Sequence, residues 1–290
     1  MLYSGIGGKT MRTKTMKRIA IVIAAMLMAA MLAACTSGGG GGSSSAGDSD
    51  KDYIMGKGSI TIGMTIFEPM NYWDEGTGNL IGFDTEFAEE LCSRLGIDPI
   101  FEEINWDTKE IELAAKSIDA IWNGFTVTEE RRENVLFSDP YVRNMQVVVI
   151  READKDIKTD ITSLANSIIA AEKSSAGADA IMAHPIQGGA GLVEVGKQTD
   201  ALMEVKAGTA DAAVLDYTLA RAMIGPGTSY DDLMMMEDSA LQIEDYAIGF
   251  RLGSDFVAEV NRVMAEMIAD GTLGAIAQKY DLYDSLIANQ

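Results

Sequence analysis

Along most of this chain, short β-branched runs alternate with longer stretches whose apolar residues recur every three to four positions. Residues 59–64 read as a strand by composition. Phe87, Ala88, Leu91, Cys92 and Leu95 then fall on one helical stripe, with Asp84 placed to cap that helix and Gly96 to stop it. A second helix is expected over 106–117, with Asp107 or Thr108 near its cap. Strands are expected at 118–122, 146–150 and 168–171, then a helix running to residue 183, then strands at 212–215 and 246–250. Ser254 or Asp255 caps a clean helical face made by Phe256, Val260, Val263, Met264, Met267 and Ile268, which Gly271 closes. This alternation predicts an α/β fold with mostly parallel sheets.

Two segments stand outside the alternation. Residues 19–34 are uninterruptedly apolar and follow Lys9, Arg12, Lys14, Lys17 and Arg18. A basic lead, an apolar run shorter than the roughly 20 residues of a spanning helix, and small residues at its end make residues 1–34 a secretory signal. Met11 and Met16 are alternative starts. The run closes on Leu32-Ala33-Ala34-Cys35, which resembles a bacterial lipobox. That resemblance implies lipidation at Cys35 and an extracytoplasmic protein anchored to the cell membrane. Residues 35–56 are rich in Gly and Ser and then acidic, and read as a flexible tether, with globular sequence beginning near Lys57.

Charge narrows the partners. The 290 residues carry a formal −21, from 23 Lys+Arg and 44 Asp+Glu. The signal holds no acidic residue, so the rest of the chain is more acidic still. Nucleic acid is excluded as a partner, and direct adsorption to anionic lipid is disfavoured. Beside Cys35 the only cysteine is Cys92, so no internal disulfide is expected, and its place on a helical stripe predicts a buried structural thiol.

In open α/β sheets ligands bind beyond the carboxyl ends of strands, and residues 123–126, residues 174–177 and Asp216 hold such positions. Thr128 suits a helix N-cap and Glu129 and Glu130 a first turn, but Arg131 opposes the positive end of the helix dipole. A docked anion resolves the conflict: backbone N–H groups, the Thr126 hydroxyl and the guanidinium fork would together hold a carboxylate. A solvated surface arginine is the alternative, and Arg132 beside it shows that misplaced charge alone proves little. Asp216 either meets an ammonium, aided by the Gly124 carbonyl and the Thr126 hydroxyl, or caps the helix that begins there. Ser175 and the Gly177 amide either add donors or form a Gly/Ser turn. Phe67 and Trp106 are pocket walls or core aromatics. Tyr72, Trp73 and Trp122 read as core or rim. Asn123 and Phe125 belong to the same loop as Gly124, where Asn123 touches ligand or only makes the turn. Asp119 and Asp211 precede strands in similar runs and read as turn residues, an echo that fits two lobes built alike. Glu172, at a strand end, either reaches a cationic or hydrogen-bonding ligand group or is solvated. His184 reads as structural.

Five runs resemble the solute-binding receptors of polar amino-acid ABC importers, the bacterial extracellular solute-binding family 3. They are Thr65-Ile-Phe-Glu-Pro69, Gly82-Phe-Asp-Thr-Glu-Phe-Ala88, the run from Ile118 through Asn123-Gly-Phe-Thr126 to Arg131, Phe137-Ser-Asp-Pro-Tyr141, and Ala210-Asp-Ala-Ala-Val-Leu-Asp216. The match runs in order from about residue 57 to 288. It implies a two-lobed periplasmic-binding-protein fold of type 2, with residues 57–150 and 247–290 in lobe 1 and 151–246 in lobe 2. Crossings between lobes are expected near 149–152 and 244–248. The resemblance also implies roles. Arg131 holds an α-carboxylate and Asp216 an α-ammonium. Thr126 and Gly124 complete the cage, Ser175 and the Ala176 and Gly177 amides close from lobe 2, and Phe67 and Trp106 flank the side chain. Two departures matter. Ser174 stands where relatives usually show glycine, and Ala176 lacks a hydroxyl. Met64 stands where receptors for basic amino acids often carry an acid, which argues against a tightly bound Lys or Arg by that route. The implied protein is a monomeric receptor that hands a polar or cationic free amino acid to an ABC permease, without catalysis, metal or cofactor. A secreted cyclohexadienyl dehydratase-like enzyme with Glu172 as general acid, and a sensory amino-acid-binding module, are the rival readings.

Overall fold

The computed structural model describes residues 49–188, 191–237 and 239–290. The signal, Cys35 and the first part of the tether lie outside the described residues. Among the described residues no helix is long and apolar enough to cross a membrane.

The globular body begins earlier than Lys57. Helix α1 (Asp50–Lys57) occupies the last part of the expected tether, with the Ser49 hydroxyl accepting from the Asp52 N–H. Apolar periodicity could not reveal it, because Ile54 is its only buried residue. Charge docks it instead: Asp50 accepts from Arg251 at 2.7 Å, Lys51 pairs with Glu259, and the Ser49 hydroxyl donates to Asp255 at 2.6 Å.

Strand β1 (Ser59–Met64) follows, then the short pair β2 (Tyr72–Trp73) and β3 (Leu80–Ile81), and α2 (Phe83–Leu95). Trp73 is exposed on that hairpin, neither core nor rim, while Trp122 is fully buried. Gly96 stops α2 in the left-handed conformation, but Gly82, not Asp84, holds the cap position. Cys92 lies buried on the inner face of α2, and burial pushes its thiol up to about 12. Next come β4 (Asp98–Glu103), a short 3-10 turn at Trp106–Thr108, α3 (Lys109–Ala114), β5 (Ala120–Ile121), the single turn α4 (Glu129–Arg132) and β6 (Val135–Phe137).

The chain then crosses into lobe 2 on β7 (Val142–Arg151) and continues through β8 (Ile168–Glu172), α5 (Ala176–Ala183), β9 (Gly191–Val195), α6 (Gln198–Ala207), β10 (Ala212–Asp216), α7 (Tyr217–Met223), β11 (Leu233–Met235) and β12 (Gln242–Tyr246). It returns on β13 (Gly249–Arg251) and closes with α8 (Phe256–Ala269) and α9 (Thr272–Lys279). The α8 face is the expected one, with Phe256, Val260, Val263, Met264 and Met267 buried.

Lobe 1 has the strand order β4-β1-β5-β13-β6, and lobe 2 the order β11-β7-β10-β8-β9 with β12 also on β7. Pairing is parallel only in the hearts, β4-β1-β5 and β10-β8-β9; β7, β11, β12 and β13 pair antiparallel. The sheets are therefore mixed rather than mostly parallel, since a strand arriving from the other lobe runs against those built within.

Strand β7 pairs with β10, β11 and β12 along its length, and Val142 also bridges to Leu286 near the C-terminus, so β7 belongs to the second sheet, whereas β6, the strand before it, belongs to the first. An apolar β-branched run reads alike whether it leaves one sheet or threads the next. On the return, β12 ends at Tyr246 in the second sheet and β13 begins at Gly249 in the first.

The Asp119–Asp211 echo has a structural meaning. Asp119 donates its N–H to the Thr61 carbonyl (2.7 Å) and accepts the Thr61 N–H on Oδ2 (2.9 Å). Asp211 does the same with Ile168, at 2.7 and 2.9 Å. Each aspartate thus staples its own strand to the neighbouring parallel strand, β1 in lobe 1 and β8 in lobe 2.

Candidate ligand-binding site

Residues from both lobes border one narrow pocket in the cleft. Thr65, Phe67, Trp106, Asn123, Gly124, Thr126 and Arg131 line it from lobe 1. Glu172, Ser175, Ala176, Gln198 and Asp216 line it from lobe 2. Arg131 and Asp216 thus border one cavity from opposite lobes. Of the expected site residues, Phe125 and Gly177 do not line it. The Phe125 ring lies in the lobe 1 core beneath the Arg131 guanidinium, 4.8 Å from its Cζ. Gly177 packs against lobe 2, where a Cβ would come within 2.8 Å of Gln146 Oε1.

The lobe 1 loop is fixed before any ligand arrives. Asn123 accepts from the Thr65 N–H and hydroxyl, and its amide donates to the Thr65 carbonyl (2.9 Å) and to Asn71 (2.8 Å). Its polar atoms are committed to the loop, so its part in the cavity is to build the wall. Gly124 adopts φ 54° and donates its N–H to Asp84 Oδ2 at 2.7 Å. Asp84 therefore pins the loop rather than capping α2, and burial raises its carboxyl to about 7.

Arg131 enters because Thr128 caps α4, its hydroxyl accepting the Arg131 N–H at 3.1 Å. The guanidinium is buried and donates to the Thr126 carbonyl (2.8 Å) and, across the cleft, to the Ser174 carbonyl (3.2 Å). The Thr126 hydroxyl donates to Glu244 at 3.0 Å, so it is not poised for an anion. The remaining anion donors are the guanidinium and the N-terminal turn of α5, where Ser175 caps Ala178 at 3.1 Å and the Ala176 and Gly177 N–H groups have no intrahelical partner.

Asp216 occupies the cap position of α7 but makes no side-chain cap bond. Its Oδ1 accepts from Asn144 (2.6 Å), Gln146 (2.8 Å) and the Tyr246 hydroxyl (2.7 Å), and its Oδ2 accepts from Gln198. Four neutral donors surround the carboxylate without bringing a positive charge, which suits a cation partner. Glu244 accepts from the same Asn144 and Gln146 amides. Its carboxyl is raised to about 8, first by burial and then by Asp216.

Lys109 was not foreseen. It is buried, stands 4.9 Å from the Trp106 ring centre and donates to the Trp106 and Ser174 carbonyls, both at 3.1 Å. Burial and then Arg131 lower it to about 8. Ser174 holds φ 57°, so the missing glycine leaves strain, and its carbonyl takes both Lys109 and Arg131. Around it, Asp107 accepts from Lys173 (2.8 Å) and from the Ser174 hydroxyl (2.6 Å), and Glu103 from Lys197 (2.6 Å). These contacts clasp the two lobes shut.

Residues 60–282 match the sequence profile of the bacterial extracellular solute-binding proteins, family 3. The L-cystine-binding protein TcyA of Bacillus subtilis (strain 168) is 28% identical over 230 residues, spanning 77% of this chain and 81% of that protein. Among solved structures, Tv2483 bound to L-arginine superposes with a TM-score of 0.77 at 27% identity, over 83% of this chain and 98% of that one. The P235GK mutant of ArgBP from T. maritima gives 0.73 at 32% identity, over 80% and 99%. With more than half its length matched, and the cleft lying between two lobes of that architecture, the chain is a member of the bacterial extracellular solute-binding proteins, family 3.

Proposed function

We propose that this protein captures a free α-amino acid outside the cytoplasm and delivers it to an ABC permease. The observation that carries the reading is the pairing of Arg131 and Asp216 on one cavity from opposite lobes. A zwitterionic head group needs a cationic fork for its carboxylate and an acid for its ammonium. Arg131, with the Ala176 amide, takes the first role and Asp216 the second. The family and the cystine- and arginine-binding relatives support the amino-acid class. Because each lobe supplies one charge, ligand favours the closed form by its differential affinity.

A thermal-shift screen of the twenty amino acids with cystine and ornithine tests the class, since a ligand at 100 times its Kd adds about 2.7 kcal/mol. Arg131→Ala should abolish binding seen by calorimetry while the circular-dichroism spectrum is retained; undiminished affinity would remove the assignment. We assign lipidation to Cys35, testable as detergent-phase partitioning that Cys35→Ser should lose. One observation favours the dehydratase-like rival: Glu172 is raised to about 8 and so is protonated at neutral pH. Incubation with prephenate or arogenate under ultraviolet absorbance decides it, and no turnover is expected.

A further inference from the structure

We infer that the ligand is an α-amino acid whose side chain ends in a cation, and that Glu172 is the group that reads that charge. The inference rests on the amino-acid reading of the cavity and goes beyond it by naming the side-chain class.

Glu172 is the last residue of β8 and only 3% exposed. Among the polar side chains that line the cavity, it alone has a buried oxygen, Oε1, without a hydrogen-bond partner. Its neighbours are occupied. Asn123 holds Thr65 and Asn71, Ser175 caps α5, Thr126 donates to Glu244, and Gln198 donates to Asp216. A buried, unpaired carboxyl is costly in the native state unless a bound group meets it.

Charge counting points the same way. The buried ionisable groups in and beside the cavity are Arg131 and Lys109 against Asp216, Glu172 and Glu244. A zwitterionic head engages Arg131 and Asp216 and brings no net charge. Lys109 is tied to two carbonyls, and Glu244 Oε1 is met by the Thr126 hydroxyl and the Asn144 and Gln146 amides, while its Oε2, outside the cavity lining, has no partner. Of Glu172 and Glu244 only Glu172 lines the cavity, so it is the one a bound cation reaches. A guanidinium or ammonium at the far end of the ligand supplies that cation, and the Phe67 and Trp106 rings offer flanks for the stem or for a planar guanidinium. The acid that the Met64 position lacks is thus provided from the other lobe.

A proton is coupled to this contact. Burial and then Asp216 and Asp200 raise the Glu172 carboxyl to about 8, while Lys109 and Arg131 oppose them. A cationic side chain favours the ionised form, so binding near neutral pH releases a proton and affinity climbs as pH rises toward 8.

Calorimetry with arginine and its uncharged isostere citrulline, with lysine and glutamine, tests this at pH 6 and pH 8 in buffers of different ionisation heat. Arginine or lysine should bind at least about 30-fold more tightly than citrulline or glutamine, the size expected when a buried charge loses its partner. Glu172→Gln should remove most of that preference and the pH rise. Citrulline or glutamine binding as tightly as the cations, with Arg131 still essential, overturns this inference and leaves the receptor reading intact. If no amino acid binds, or Arg131→Ala binds as well as wild type, the receptor reading itself fails. The arginine–citrulline comparison on the wild-type protein decides the matter even if the Glu172 variant does not fold.

Discussion

Gly124 meets three demands at once: φ 54°, an N–H bonded to Asp84, and no room for a Cβ. An added methyl would lie 2.7 Å from Phe67 Cε1 and 3.0 Å from Tyr246 Cε2. Gly124→Ala should therefore destabilise the protein by about 1–3 kcal/mol in urea unfolding. It should also weaken ligand binding, because it displaces one cavity wall and the tyrosine that holds Asp216. Wild-type stability and affinity in this variant would contradict the account. Arg131 and Asp216 were legible because each breaks or doubles a local rule, a cation in a first helical turn and an acid at a strand end. Their supports were less so. Asn144 and Gln146 do leave a trace, two amides spaced by two in a strand otherwise apolar at its centre. Lys109 and Gln198 leave none, since a polar residue on a short helix reads as solvated until tertiary structure buries it.

At the level of strands and helices, the strongly periodic elements came through and the boundaries set by pairing did not. Periodicity reports which face is buried, and α8 has one such face. It says nothing about which sheet a β-branched run joins, so β7 was placed across the lobe boundary. Charge docking of α1 was equally silent. The paired aspartates show how context separates identical local chemistry. Asp119 is 1% exposed and pairs with Arg251 at 3.1 Å and with Lys57, whereas Asp211 is 38% exposed with Lys158 at 3.5 Å. Asp119→Ala removes a buried acid from Lys57, Arg251 and the Thr61 N–H, while Arg251 keeps Asp50, and should cost about 1–3 kcal/mol. Asp211→Ala removes a half-exposed pair and should cost about 1 kcal/mol or less from that pair. Equal losses in denaturant titrations would show that the two lobes use the staple alike.

Across the whole molecule, three buried carboxyls hold protons above the usual carboxylate range: Asp84 at about 7, Glu172 and Glu244 at about 8, each raised first by burial. The unfolded chain ionises them near pH 4 to 4.5, about the ordinary carboxylate range, so it gains on the native state as pH climbs. Stability of the ligand-free protein should accordingly fall as pH rises from 5 toward 8. Lys109, lowered to about 8, acts in the opposite sense only above that pH. Glu244→Gln should flatten part of the slope; a melting temperature that rises from pH 5 to 8 would refute the assignment of protons.

The docking of α1 has a mechanical consequence. Ser49, Asp50 and Lys51 are fastened to Asp255, Arg251 and Glu259, all on lobe 1. Any pull transmitted along the upstream chain is borne first by lobe 1. Lobe 2 receives none of these contacts, so a force entering at Ser49 reaches it only through the connecting segments and the bonds across the cleft.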